Sequence, residues 1–301
     1  MKRWQWIVGS LAALLLVLGS YLYTQLRSVD VERLSQDLYV LRGLGGNTAI
    51  LRTDAGAVVV DTMTVPLQGA RIRGLARELT GMDAVLLINT HYHLDHTHGN
   101  PAFAEGIIVM STARTLSHMT VLDGDFWTGD RAAFLPNDVF DGSQTLKLGG
   151  KTLELLHPGP GHTDGDLVVL FVEEGAVHLG DLMFNRLYPR IDLGAGGTVR
   201  GWPASLDRVM EMTFDRVIPG HGATTDREGL LQFRSFMSQL ADLAAASAAR
   251  GESLDAFLAT GELTTDAGYE TIRMVVPVGL NRESVLTEAW QEATGNFALA
   301  N

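Results

Sequence analysis

Short apolar runs separated by glycine-rich and acidic turns dominate the first part of the chain. They predict strands at 38–41, 48–52, 57–60 and 83–88. Between the last two runs, Pro66 suits the first position of a helix, and an imperfect helical pattern continues to Thr80. The order strand, helix, strand is typical of an α/β fold.

The second part of the chain repeats this alternation. A strand at 107–110 and a helix at 112–122 are followed by a loop, 123–138, whose Phe126 and Trp127 either cap a site or cover the core. Further strands are predicted at 145–148, 152–156, 167–172 and 176–179. Thr225 and Glu228 have the spacing of a capping box before a long helix. Residues 251–301 are expected to form a helical C-terminal extension.

The N-terminus has the pattern of a membrane or export segment. Lys2 and Arg3 precede the apolar run 7–23, which is flanked by tryptophans and tyrosines. As a helix, 4–23 would span roughly 30 Å, about one hydrocarbon thickness, with aromatic residues at both interfaces. Residues 1–27 are therefore interpreted as a signal anchor with its basic end in the cytoplasm, or as a cleaved signal peptide; an ordinary core helix is the third interpretation. Either of the first two exports the rest, anchored to the cytoplasmic membrane or free in the periplasm or medium.

The composition limits the size of the core, the partners and the metal ligands that the chain can have. At 301 residues and 46% hydrophobic content, the chain can bury one large core or two modest ones. Its net charge is −12 and we find no cluster of Lys and Arg, which argues against a nucleic-acid partner. With no cysteine, only His, Asp and Glu remain as side-chain ligands for a metal such as zinc. Nothing in the sequence indicates the oligomeric state.

The run from His91 to Asn100, directly after the 83–88 strand, concentrates metal-binding side chains. Alternate residues of an extended segment point the same way, so His91 and His93 can hold one ion. The turn that follows can direct Asp95 and His96 at another. A single histidine would be unremarkable, but three with an aspartate between them predict a metal site.

This run resembles the His-x-His-x-Asp-His signature of the metallo-β-lactamase superfamily, and the order of the later motifs agrees. These are Pro158-Gly159-Pro160-Gly161-His162-Thr163, His178-Leu179-Gly180-Asp181 and Ile218-Pro219-Gly220-His221-Gly222. The resemblance covers roughly residues 28–250. It implies an αββα sandwich of two mixed sheets built from related halves and flanked by helices, preceded here by the N-terminal hydrophobic helix.

The resemblance also implies a ligand set for two metals. His91, His93 and His162 would hold the first, and Asp95, His96 and His221 the second, with Asp181 bridging. In such a site the two ions activate a shared hydroxide, and Asp95 orients it and passes its proton. Five imidazoles and two carboxylates suit zinc, and the oxygen-reducing di-iron branch has a carboxylate where this chain has His93; iron and manganese remain alternatives.

The branch of the superfamily is argued from Asp181. Zinc β-lactamases have Cys or Ser there, whereas a bridging Asp is typical of glyoxalase II, lactonase and phosphodiesterase relatives. The chain lacks a basic cluster for glutathione, and its segment 181–197 resembles exported hydrolases, including those linked to quinoprotein pathways. The expected activity is hydrolysis of a small ester, thioester or lactone; the alternatives are β-lactam hydrolysis and a non-catalytic metal-binding accessory role.

Five further residues are weaker candidates for the site. Asp61 resembles the family aspartate that supports a ligand, but is equally interpreted as a turn residue at a strand end. Asn47 ends a glycine-rich turn that lies beside the metals in the family. Arg186, Tyr188 and Arg190 are candidates to bind a substrate carboxylate, because arginine presents a rigid fork of donors, although each also suits a solvated surface loop.

Overall fold

The computed structural model describes residues 11, 17–20, 23–24, 26–273 and 279–297, and two mixed sheets form its centre. The first sheet runs in chain order through β1 (Asp30–Arg33), β2 (Leu38–Arg42), β3 (Thr48–Thr53), β4 (Gly56–Val60), β5 (Ala84–Ile88), β6 (Ile108–Thr112) and β7 (Asp138–Phe140). Pairing is antiparallel as far as β4 and parallel from β4 to β7. The strands predicted from apolar runs in this half are confirmed.

The second sheet has the order β13-β12-β11-β10-β9-β8. Its strands are β8 (Ser143–Leu148), β9 (Lys151–Leu156), β10 (Val168–Phe171), β11 (Ala176–His178), β12 (Arg216–Ile218) and β13 (Thr225–Asp226). Only β11 and β12 pair in parallel. A separate two-stranded sheet joins β14 (Ile272–Arg273) to β15 (Gly279–Leu280).

Helices cover the outer faces of both sheets. The described helices from residue 30 onward are α1 (Pro66–Thr80), α2 (Leu94–Thr97), α3 (Ala113–Val121), α4 (Trp202–Met210), α5 (Arg227–Arg250), α6 (Leu254–Thr260) and α7 (Arg282–Thr294), of which α2 is a single turn in the loop after β5. The predicted start of α1 at Pro66 and its extent to Thr80 are confirmed. Two mixed sheets between helical layers form the αββα arrangement expected from the sequence.

Alternation along the strands explains the four layers. In β4, Val58 and Val60 face the second sheet and pack in one cluster with residues such as Val169, whereas Val59 packs with Ile72 of α1. Because side chains of a strand alternate between faces, an uninterrupted apolar run supplies two cores at once. The other face of the second sheet packs against α4, α5 and α7.

Two sequence predictions require correction. The N-cap of α5 is Asp226, whose carboxylate accepts from the amide of Gly229 at 3.0 Å, and not Thr225. Thr225 still pairs with Val217 in the sheet, so the chain becomes helical one residue later than the capping-box spacing suggests. The loop at 123–138 contains a short 3-10 helix, Gly129–Phe134. Within it, Trp127 is buried in an apolar cluster, which favours the core-covering interpretation.

The segment after Gly251 joins the core of the second half. Val285, Leu286 and Ala289 of α7 are buried in the same cluster as Phe236 and Leu240 of α5. The segment is helical in α6 and α7, but β14 and β15 interrupt it. The proposed boundaries at 28 and 250 stay predictions.

The predicted N-terminal hydrophobic segment lies for the most part outside the described residues. In the described part of the chain, no helix combines the length and apolar character needed to cross a membrane.

Candidate metal centre

Seven candidate ligands meet at one edge of the two sheets, where several strands deliver loops. His91, His93, Asp95 and His96 follow β5, and His162 lies between β9 and β10. Asp181 follows β11, and His221 follows β12. Since β5, β11 and β12 all end at this edge, ligands distant in sequence come together. The structure places them in two groups whose donor atoms lie within 4.8 Å of one another, namely His91, His93, His162 and Asp181, and Asp95, His96 and His221.

Three imidazole nitrogens converge in the first group. Nδ1 of His93 lies 3.1 Å from Nε2 of His91 and 2.8 Å from Nε2 of His162. Oδ2 of Asp181 lies 3.7 Å from Nε2 of His91 and 3.6 Å from Nε2 of His162. Three nitrogens and one carboxylate oxygen are a donor set typical of zinc.

The second group meets the other oxygen of the same carboxylate. Oδ1 of Asp181 is 3.0 Å from Nε2 of His96 and 3.4 Å from Nε2 of His221. Oδ2 of Asp95 is 3.2 Å from Nε2 of His221 and 3.8 Å from Nε2 of His96. Asp181 thus directs one oxygen at each group, the arrangement that a bridging ligand requires.

Two buried atoms in this centre lack a hydrogen-bond partner among the described residues. Nε2 of His96 and Oδ1 of Asp181 are close to one another, but the angles between them do not form a hydrogen bond. Leaving a buried polar atom unpaired is unfavourable, so such atoms mark a place where something else binds. A divalent cation fits both atoms.

Protein groups hold the outer nitrogens of four histidines. Nδ1 of His96 lies 2.7 Å from Oδ2 of Asp61, and Nδ1 of His162 lies 2.8 Å from the carbonyl oxygen of Arg190. Nε2 of His93 lies 2.8 Å from Oδ2 of Asp192, and Nδ1 of His91 lies 3.1 Å from Oγ1 of Thr90. Such contacts fix ring orientation and tautomer, so that the inner nitrogen is available to a metal.

Asp61 occupies an uncommon backbone conformation. Its φ of 62° lies in the left-handed region, which non-glycine residues rarely adopt. The side chain is fully buried and accepts from the amide and the hydroxyl of Thr90, at 2.8 and 2.7 Å, besides contacting His96. These contacts favour the supporting role for Asp61 over that of a simple turn residue.

Two glycines are required by the close approach of their backbone to the ligands. A Cβ on Gly220 would lie 2.0 Å from Oδ1 of Asp181, and one on Gly46 would lie 2.1 Å from Cε1 of His96. Neither position has space for a side chain. The Gly-Gly-Asn and Pro-Gly-His turns of the sequence therefore let two loops approach the centre.

The ionisable groups of the centre strongly shift the pKa values of one another. Burial and the neighbouring His96 hold the pKa of His91 well below its usual value, which keeps the imidazole neutral. Burial alone would lower the pKa of His221, but Asp181 and Asp95 outweigh it and raise the pKa to about 9. In the metal-free protein, protons on imidazoles thus balance the carboxylates, and a divalent cation binding there displaces them.

The structure separates the three candidates for substrate binding. The side chain of Arg190 is 49% exposed, and its guanidinium lies 3.6 Å from Oδ2 of Asp192, beside the first group. Arg186 instead points toward Gln232, at 3.4 Å, and the hydroxyl of Tyr188 donates to Asp266 at 2.8 Å. Of the three, Arg190 is the one that lies beside Asp192, which contacts the candidate ligand His93.

Asn47 has a structural position beside the second group. Its side-chain amide donates to the carbonyl oxygens of Pro219 and Gly222, at 2.8 and 2.9 Å, on either side of His221. Its backbone N–H donates to the carbonyl oxygen of Gly220 at 2.7 Å. Asn47 therefore ties the glycine-rich turn of the first sheet to the His221 loop.

Sequence reasoning missed Asp192 and Tyr92. Asp192 contacts His93 and accepts from the hydroxyl of Tyr92 at 2.5 Å. Asp192 lies within segment 181–197 and Tyr92 within the run 91–100, but neither sequence pattern gives these two residues a role. Segment 181–197 and the candidates Arg186, Tyr188 and Arg190 indicate this loop from the sequence, but they do not single out Asp192.

Comparison with known proteins agrees with the geometry. The family model of the Metallo-beta-lactamase superfamily matches residues 41–221, so the chain belongs to this superfamily. Together with the His and Asp clusters, this makes the chain a metallo-hydrolase.

Individual relatives carry different activities. The chain is 25% identical to "Metallo-beta-lactamase type 2" of Bacillus cereus over 68% of this chain and 80% of that protein. It is 27% identical to the hydroxyacylglutathione hydrolase of Rhodospirillum rubrum over 48% of this chain. The matches span about half the length of that hydrolase (49%) and of the alpha subunit of a 2,4-dinitroanisole O-demethylase from Nocardioides sp. (52%).

A solved structure extends the likeness toward the C-terminus. The sec-alkylsulfatase from Pseudomonas sp. superposes with a TM-score of 0.71 over 89% of this chain and 51% of that chain, at 18% identity. At this identity the likeness shows the fold alone.

Proposed function

We propose that the protein is a dinuclear zinc hydrolase that cleaves a small ester, thioester or lactone. The observation that carries the proposal is the orientation of Asp181, with Oδ2 facing His91 and His162 and Oδ1 facing His96 and His221. One carboxylate shared in this way suits two ions better than one.

The donor set supports the metal. His91, His93 and His162 would hold one ion and Asp95, His96 and His221 the other, while the unpaired atoms of His96 and Asp181 would gain a partner. Imidazole and carboxylate donors without thiolate suit zinc, with iron and manganese as alternatives. When bound, such a metal pair lowers the pKa of a water and polarises the bond under attack.

Asp95 is the residue proposed to handle the proton. Its side chain is 27% exposed, against 5% for Asp181, so of the two carboxylates it lies on the side that solvent reaches. From there, it can accept a proton from the attacking water and return it to the leaving group. An acid–base group must lie within hydrogen-bond reach of the reacting atoms, and the contact of Asp95 with His221 keeps it there.

The substrate class follows from charge. Two divalent ions carry more positive charge than Asp95 and Asp181 neutralise, so an electron-rich carbonyl or carboxylate is attracted even to a protein of net charge −12. The exposed guanidinium of Arg190 adds a donor for a carboxylate at the rim. The similarity to a hydroxyacylglutathione hydrolase supports a thioester or related acyl substrate.

β-Lactam hydrolysis is the second candidate. The match to a Bacillus cereus β-lactamase over 80% of that protein favours it, and Asp181 in place of Cys or Ser argues against it. A non-catalytic metal-binding role is the third, and it predicts bound metal without turnover.

Export is part of the proposal. The basic residues Lys2 and Arg3, the apolar run and its aromatic flanks support either a membrane anchor or a cleaved signal, with the catalytic part outside the cytoplasm. Detection of the catalytic part in spheroplast membranes or in the periplasmic fraction supports this, and recovery in the cytosol contradicts it.

The test of function combines metal analysis and turnover. Purified protein should contain close to two zinc ions per chain and hydrolyse at least one member of an ester, thioester, lactone and β-lactam panel. Asp95→Ala should abolish turnover, whereas Asp242→Ala, an exposed aspartate of α5, should leave it unchanged. Unchanged turnover in Asp95→Ala would sink the assignment; turnover of the lactam alone would favour the second candidate, and metal without turnover the third.

A further inference from the structure

The loop between Asp181 and α4 supports two members of the first ligand group. The carbonyl of Arg190 accepts from Nδ1 of His162, and the carboxylate of Asp192 contacts Nε2 of His93. Whatever fixes this loop therefore also fixes two candidate ligands.

Backbone hydrogen bonds attach the same loop to the segment that carries His162. The amide of Asp192 donates to the carbonyl of His162 at 3.0 Å, and the amide of Thr198 donates to the carbonyl of Gly161 at 2.8 Å. In the other direction, the amide of Asp164 donates to the carbonyl of Ala195 at 3.0 Å. The two loops thus form one unit at the edge of the second sheet.

Two glutamates of α7 bind this unit from outside. The amide of Ile191 donates to Oε2 of Glu288 at 3.0 Å. The amides of Val199 and Arg200 donate to Oε2 of Glu292 at 2.8 and 3.1 Å, and the hydroxyl of Thr198 donates to Oε1 of Glu292. Amide-to-carboxylate hydrogen bonds are among the stronger ones, and they hold a loop segment of little regular structure.

The helix that carries these glutamates is itself fixed. Asn281 and Ser284 form a capping box at its start, and its apolar face is buried against α5. Glu288 and Glu292 are four residues apart, so they lie on one face of α7, toward the loop. A rigid helix thus presents two acceptors in register with the loop amides.

We propose that Glu288 and Glu292 are positioning residues of the metal centre, which they serve by holding the 190–200 loop against the His162 segment. The inference concerns metal binding at the first group, and it holds for any substrate. It rests on the proposed metal centre, and it assigns the C-terminal segment, which lies beyond the 41–221 family match, a supporting part in that centre through the 190–200 loop.

The test compares Glu288→Ala, Glu292→Ala and Glu283→Ala in the full chain. Glu283 is an exposed glutamate of the same helix, so its variant controls for the loss of a charge from α7. Zinc affinities are measured by competition with a chromophoric chelator, and the cobalt(II)-substituted protein gives an absorption spectrum that reports ligand geometry. Melting temperatures of the metal-free proteins are recorded alongside.

Groups that contact a metal ligand directly typically change metal affinity 10- to 100-fold, and Glu288 and Glu292 act one contact further out, so the lower end of this range applies. We expect Glu292→Ala to weaken one of the two ions about tenfold, with an altered cobalt spectrum and little change for the other ion. Glu288→Ala should act in the same direction, and Glu283→Ala should match the wild type. In an Asp192→Asn background the effect of Glu292→Ala should shrink, because both act through the same loop.

Glu292→Gln, which keeps one acceptor oxygen, should have an intermediate effect and serves if the alanine variant does not fold. Lowered melting temperatures with unchanged affinities would assign α7 a structural role only and overturn the proposal. An equal loss in Glu283→Ala would overturn it too. If the wild-type protein binds no metal, the proposed function fails as well. If it binds metal and only the variants depart from expectation, the positioning role of Glu288 and Glu292 alone fails.

Discussion

The Oδ2 atom of Asp192 lies 2.8 Å from Nε2 of His93, and the ring of this histidine is oriented oppositely to the rings of the other four candidate ligands. His91, His96, His162 and His221 turn Nε2 toward the centre, whereas His93 turns Nδ1 inward. A carboxylate on the outer nitrogen fixes the tautomer and raises the basicity of the inner one. The contact with Asp192 thereby directs Nδ1 of His93 toward Nε2 of His91 and Nε2 of His162.

Asp192→Asn should weaken zinc at the first group by 10- to 100-fold, because the amide no longer holds the His93 ring with a charge. Chelator competition measures the affinity. Tyr92→Phe, which removes only the hydroxyl that donates to Asp192, serves as the milder control and should change affinity less than tenfold. Wild-type affinity in Asp192→Asn would contradict the role given to this contact.

Gly220→Ala should eliminate both metals and activity, since its Cβ would lie 2.0 Å from Oδ1 of Asp181 and 2.6 Å from the backbone of Gly180. The backbone of Gly180 cannot yield as a flexible side chain can, and the carboxylate of Asp181 would have to move as well. Gly74→Ala is the matched control, because it meets nothing within 4 Å in the interior of α1. That variant should gain about 0.5–1 kcal/mol in free energy of unfolding. Metal content and denaturant unfolding together check both outcomes.

Arg190→Ala should raise the KM for substrates with a free carboxylate at least tenfold and leave uncharged esters little affected. The exposed guanidinium beside Asp192 is then the donor that such substrates lose. Arg186→Ala removes an arginine of the same loop that points toward Gln232, and it should leave both KM values unchanged. Equal effects on charged and uncharged substrates would refute selective recognition by Arg190.

Metal removal should lower the stability of the protein. Without an ion, Nε2 of His96 and Oδ1 of Asp181 stay buried and unpaired. A ligand at 100 times its Kd stabilises the folded state by about 2.7 kcal/mol, so a chelator should lower the melting temperature by several degrees. In Asp181→Ala the chelator should have a much smaller effect. A melting temperature insensitive to chelator in the wild type would speak against a metal centre.

Glu288 makes stability depend on pH. Burial raises its pKa from 4.5 to about 7, so the folded state binds this proton more tightly than the unfolded state does. The stability that the neutral form contributes is complete below pH 4.5 and is lost as the pH rises through 7. Between pH 5 and 8, the wild type should lose about 1–2 kcal/mol more free energy of unfolding than Glu288→Gln does. This value is reduced to allow for the partial exposure of the side chain. Denaturant unfolding in the same metal state measures it, and identical pH profiles for variant and wild type would contradict the shift.

The fold was largely predictable because its signals are local. Apolar runs in the two halves define the strands, and Pro66 defines the start of α1. The start of α5 was misplaced by one residue because Thr225 pairs in a sheet, a contact that local spacing does not reveal. Similarly, β14 and β15 have only two residues each, too few for a periodic pattern.

By itself, the sequence predicted the seven side chains of the candidate metal centre and the loops that carry them, because His91, His93, Asp95 and His96 stand within six residues and the other candidates follow recognisable glycine turns. Only the tertiary structure decided what supports them. Asp192 is 99 residues from His93, and Glu292 is 93 residues from Val199, so no spacing along the chain connects these pairs. They meet because two sheets and α7 pack their edges around one loop, and packing of distant segments leaves no periodic trace in the sequence.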